Sequence, residues 1–168
     1  VEIGSKSNSL GFHGESEHGL SVNINGQDPS GFYSLISGMA GEPPSNIPIS
    51  DYGHELEYII QTDALSNMYS EAISNSFNNG QNAVSYPDTD ISNQLKTVAR
   101  LISGGLESKV YMVKLSGFDT HFGQNQAEND ILGDHNDLLT KLSSAIAAFM
   151  NDLSAMNLKN DVVGLTYS

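Results

Sequence analysis

The last sixty residues constrain the fold more than anything before them. "KVYMVKLSG", residues 109–117, is a nearly continuous apolar, β-rich run of strand length. Parallel strands covered on both faces read this way. Residues 128–158 then place Ile131, His135, Leu138, Leu142, Ala145, Phe149, Leu153 and Met156 at intervals of three and four. That spacing puts one apolar stripe along a long helix. "DVVGLTYS", residues 161–168, is a second buried-strand candidate. Strand, loop, helix and strand make a βαβ unit with a right-handed crossover, so the expected fold class is α/β with a mostly parallel sheet.

The upstream elements follow from local signals. Leu20, Val22 and Ile24 alternate with polar residues, which predicts a short half-buried strand. Asp28 and Pro29 suit the start of a short helix. Ser50 caps a longer one carrying Leu56, Ile59, Ile60, Met68, Tyr69, Ala72 and Ile73, with Gly80 as its stop. Thr89 or Asp90 caps a third, with Ile91, Leu95, Val98 and Ile102 on one face and Gly104-Gly105 at its end. Residues 1–168 read as a single α/β domain, with residues 91–168 as its helix-strand-helix-strand core and no internal repeat or linker. The chain stops at the end of a strand, so it is expected to be part of a larger domain. A sheet cut after two or three strands leaves an unpaired edge, and a homo-oligomer is expected from it.

Composition excludes several function classes. Seven basic residues face twenty acidic ones, a formal net charge of −13. No Lys/Arg cluster is present to neutralise phosphates, which argues against nucleic-acid binding. No apolar run approaches the roughly 18 residues needed to span a bilayer. The chain has no cysteine, so disulfides and thiolate chemistry are out.

The candidate site is "SGFDTHFGQ", residues 116–124, just past the first strand. Ligands in open α/β sheets bind beyond the carboxyl ends of strands. Asp119 offers carboxylate oxygens and His121 an imidazole nitrogen, a donor pair that suits zinc or manganese. Gln124 can support a ligand from behind, and His135 is a candidate third ligand. The same residues also read as a turn pair, with His135 as a boundary histidine holding a hydrogen bond. His13 and His18 lie among glutamates in a polar loop, and His54 falls on a helix surface. No phosphate-loop pattern or nucleophile elbow is present. A third class, an acidic calcium-binding module, is compatible with the Asn, Asp and Gly content but lacks a calcium loop of EF-hand type.

"QLKTVARLISGGLESKVYMVKLSGFDTHFGQ", "HNDLLTKLSSAIAAFMNDL" and "DVVGLTYS" together resemble the family called domain of unknown function 1501, over roughly residues 94–168. Gly117, Phe118, Asp119, Thr120, His121, Gln124, His135, Leu138, Leu139 and Phe149 carry the resemblance. That family is similar to alkaline phosphatases and sulfatases. The resemblance implies an α/β/α sandwich and an exported, periplasmic or extracellular, metal-dependent hydrolase acting on small-molecule or glycan sulfate or phosphate esters. Asp119, His121 and His135 would be metal ligands, Gln124 and Thr120 their support, with a zinc, manganese or calcium ion as cofactor. The nucleophile would lie outside this chain. The gap of two between Asp119 and His121, where the phosphatase pattern has four, motivates the alternative: a non-catalytic binding or scaffold protein.

Overall fold

The computed structural model describes residues 2–3, 46–125 and 132–167. The expected strand at Leu20–Ile24, the short helix after Asp28, and His13 and His18 lie outside the described residues, as does the start of the long helical pattern up to residue 131. Three helices dominate what is described: α1 (Asp51–Asn79), α2 (Asp90–Ser103) and α3 (Asp134–Ala155). Two strands of two residues each, β1 (Glu2–Ile3) and β2 (Met112–Val113), pair in parallel, Glu2 with Met112 and Ile3 with Val113.

The local signals hold where they can be checked. The Ser50 hydroxyl accepts from Gly53 N–H at 3.2 Å, and α1 stops at Gly80. The Thr89 side chain accepts from Ser92 N–H at 3.3 Å and caps α2. Asp134 and Asp137 supply negative charge to the first turn of α3, which has no side-chain cap, and so complement its dipole. The stripe on α1 is partly corrected. Ile73 is buried and Leu56 and Ile60 are half-buried, while Met68, Tyr69 and Ala72 face solvent.

α2 and α3 end in the same way. At α2, Gly105 N–H donates to Ile102 O and Leu106 N–H reaches back to Leu101 O, both at 3.0 Å. At α3, Asn157 N–H donates to Ser154 O at 3.1 Å and Leu158 N–H to Leu153 O at 2.8 Å. Gly105 (φ 83°) and Asn157 (φ 60°) occupy the left-handed conformation this stop requires, and each following leucine folds back onto the core. In both units the chain then returns along its own helix. Residues 106–115 come back to the first turns of α2, and residues 158–167 bring Thr166 beside the first half of α3.

The core is the seam between these units, joined by the C-terminal part of α1. Ile73, Ile91, Leu95, Val98, Ala99, Leu101, Ala145, Phe149 and Leu153 are buried. Ala99 and Ala145 are fully buried and small, so they let α2 and α3 approach closely. Arg100 ties in α1. Its Nε donates to Phe77 O at 2.7 Å and Gly80 O at 3.2 Å, occupying carbonyls that a helix end leaves open. Its guanidinium also lies 4.0 Å over the Phe77 ring.

The expectation of an α/β/α sandwich with a parallel sheet is overturned: the described chain is mostly helical, with one two-residue parallel pairing. The physical reason is visible at β2. Gln94 of α2 donates through its carboxamide to Lys114 O at 3.1 Å and accepts from Lys114 N–H at 2.9 Å. A side chain thus fills the place where a sheet would put another strand. Val110 is exposed, Met112 is half-buried, and Tyr111, Val113 and Leu115 are only half-buried against the helical core. The second strand candidate, described over residues 161–167, forms no ladder among the described residues. Val163, Leu165 and Tyr167 are largely exposed. An apolar run of strand length records a demand for burial, and an extended segment laid on a helix pair meets it without pairing.

Candidate functional site

The loop between β2 and α3 is fastened to the first turns of α3. The Phe118 ring meets His135 edge to face, with centroids 6.1 Å apart and an interplanar angle of 76°. Gly117 lies against Leu138. Asp134 N–H donates to Gly123 O at 2.7 Å, and the Asp134 carboxylate occupies the space a side chain at position 123 would need. Between these anchors Thr120 N–H donates to Phe118 O at 3.0 Å, closing a tight three-residue turn.

That turn brings Asp119 and His121 together. Asp119 Oδ1 lies 3.0 Å from His121 Nε2, with the His121 side chain 77% and the Asp119 side chain 82% exposed. Two donors on one cation with bonds of about 2.1 Å stand about 3.0 Å apart at octahedral right angles and about 3.4 Å apart at a tetrahedral ion. The observed separation therefore suits either a shared proton or a shared cation, and the donor types suit a borderline divalent ion. The pair fits two positions of a coordination shell. Among the described residues no group of three or more His, Asp or Glu donors converges. His135, the expected third ligand, is half-buried, and its ring contact is with Phe118 rather than with the pair. Gln124 and Phe122 are exposed, and Thr120 is half-buried. His54 is exposed, as its helix position predicts.

Two polar centres escaped sequence reasoning. The first is Asp152, fully buried on α3. Its Oδ1 accepts from Ala83 N–H at 2.6 Å and Val84 N–H at 3.2 Å, and its Oδ2 from Asn82 Nδ2 and the Tyr86 hydroxyl, both at 2.8 Å. Burial first, then the hydrogen bond that the neutral phenol donates to Asp152 and the repulsion of a phenolate by that carboxylate, push the Tyr86 phenol well above its ordinary range. The second is Tyr111, whose hydroxyl donates to Leu106 O at 3.2 Å and whose pKa burial pushes up to about 12. Asp152 lies on the polar-looking end of the stripe, "NDLSAM". An acidic residue at helical spacing with the apolar positions was the available signal.

An open groove of about 470 Å³ runs along the first half of α3, lined by Asn136, Leu139, Thr140, Leu142, Ser143 and Ile146, and closed by Thr166. Its lining carries no charge and does not include Asp119 or His121.

Comparison with protein-family models, curated proteins and solved structures finds no match. No helix among the described residues is long and apolar enough to cross a membrane.

Proposed function

We propose that the Asp119–His121 turn is a divalent-cation half-site, and that the chain contributes it to a metal-dependent hydrolase of sulfate or phosphate esters. The observation that supports this is the convergence of carboxylate and imidazole at 3.0 Å on the exposed crest of a loop anchored at both ends. The ester class rests on the resemblance of residues 94–168. A bound cation would stabilise negative charge on the ester's non-bridging oxygens. The part of this chain is narrower. Asp119 and His121 present two donors, and the Phe118–His135 contact and the Asp134–Gly123 hydrogen bond hold the turn that presents them.

The test is titration of the whole chain with zinc or manganese, followed by the His121 ring resonances and by calorimetry. Saturable binding at one site that Asp119→Ala and His121→Ala each abolish is the expected result. Hydrolysis of nitrophenyl sulfate and phosphate, with and without the metal, then addresses the ester class. Unchanged His121 resonances across the titration remove the half-site. Metal binding without ester turnover leaves a cation-binding protein and removes the hydrolase.

One observation favours the alternative, a non-catalytic binding or scaffold protein: Val163, Leu165 and Tyr167 stand exposed at 95%, 87% and 76%. Apolar rows of this kind mark contact surfaces.

A further inference from the structure

We propose that Val162–Tyr167 is a self-association strand through which two copies of this chain pair antiparallel, edge to edge. Val162 already has strand geometry (φ −124°, ψ 130°), and the chain stays outside any helix or turn to Tyr167. No main-chain N–H or C=O from Val163 to Thr166 has a hydrogen-bond partner among the described residues. Among the described residues, the segment's one polar side-chain contact is the Tyr167 hydroxyl with Met112 Sδ at 3.7 Å. An extended chain with an open row of donors and acceptors is a template for another strand. Its side chains alternate as a strand requires, Val163, Leu165 and Tyr167 outward and Thr166 against the groove of α3.

Charge argues for a second copy as the occupant. The chain carries a formal charge of −13, so two copies repel each other, yet residues 162–167 contain no ionisable group except the Tyr167 phenol. A twofold axis at Gly164 sets Val163 of one copy across from Leu165 of the other and keeps both outward rows on one face. In that register the two Asp161 carboxylates stand at opposite ends of the ladder, about 20 Å apart at the usual strand rise. This is well beyond the screening length of about 8 Å at physiological salt. In this register two like-charged copies meet without opposed charges, while the strand offers a basic partner nothing to recognise. This reading is independent of the cation half-site.

Sedimentation equilibrium of the whole chain over a hundredfold concentration range tests it. The expected result is a weight-average mass rising from 18.0 kDa toward twice that value, with association strengthened by added salt as the self-repulsion is screened. Leu165→Pro, which removes a main-chain donor, and the double variant V163E/L165E, which sets like charges across the ladder, are each expected to weaken association at least tenfold. Ile49→Ser, at a fully exposed apolar position elsewhere, is expected to leave it unchanged. Helical circular dichroism should match in all four proteins, since the segment lies outside the core. A mass fixed at 18.0 kDa at every concentration and salt overturns the proposal. So does association that both strand variants leave intact.

Discussion

Replacing Asp152 by alanine removes one carboxylate and breaks four hydrogen bonds at once, with Asn82 Nδ2 keeping only its second bond, to Lys96 O at 3.0 Å. Two of the donors, Ala83 and Val84 N–H, converge on Oδ1, while Asn82 Nδ2 and the Tyr86 hydroxyl converge on Oδ2. A hydrogen bond to a charged acceptor contributes about 1.5–3 kcal/mol. The four do not sum, because Ala83 is exposed and the other three donors are half-exposed, so water recovers part of the loss. The net cost works out at about 3 kcal/mol, a large share of the ~5–15 kcal/mol that holds a domain folded. With a urea slope of about 1.5–2 kcal/mol/M, the midpoint should fall by about 1.5–2 M in denaturation followed by circular dichroism. Asp152→Asn should cost less, because one oxygen still serves two donors and the Tyr86 hydroxyl can turn to accept from the new amide. Tyr86→Phe should cost about 1 kcal/mol, and the cycle combining it with Asp152→Asn should show coupling of the same order. A midpoint for Asp152→Ala within about 0.3 M of the parent would refute the reasoning, since the carboxylate would then not be holding residues 82–86 to α3.

Other outcomes follow from the same packing. Gly104→Ala pushes a methyl into the Ser76 carbonyl and Gly80→Ala one into the Arg100 carbonyl, where the ends of α1 and α2 touch. Each should cost about 2–3 kcal/mol and lower the thermal midpoint by about 5–10 °C. Tyr111 has a folded pKa raised from 10.0 to about 12, so its neutral phenol is favoured in the folded state. Its contribution is complete below pH 10.0 and is lost as pH rises toward 12, which urea midpoints measured across that window should show. Tyr111→Phe should flatten that stretch of the profile. Asp119→Ala and His121→Ala should each change stability by less than about 0.5 kcal/mol, because the pair is exposed to water. A larger loss in either would show that the turn depends on the pair for its shape.

The parts of this fold legible in the sequence were those with a local cause. Ser50, Thr89 and Gly80 mark helix ends through one side chain or its absence, and the stripe Leu138–Leu153 through its spacing alone. The long-range partners were not legible. Nothing in "KVYMVKL" tells a strand neighbour from the carboxamide of Gln94, which sits twenty residues earlier on a helix. The four donors of Asp152 lie 66 to 70 residues away in a loop that composition alone describes. The approach of Asp119 to His121 spans a single intervening residue, so one local turn suffices to make it. His135, fourteen positions on from His121, is placed by the helix stripe and by Phe118 instead.

The paired helix stops carry a further consequence. "LISGGL" and "LSAMNL" share little beyond a leucine at each end and a left-handed residue before the last, yet both turn the chain back along the helix it has just left. The direction of exit is therefore written within six residues and needs no help from the segment that follows. Exchanging the two hexapeptides should preserve both reversals, whereas exchanging a leucine for an alanine inside either should let the return segment swing away from its helix.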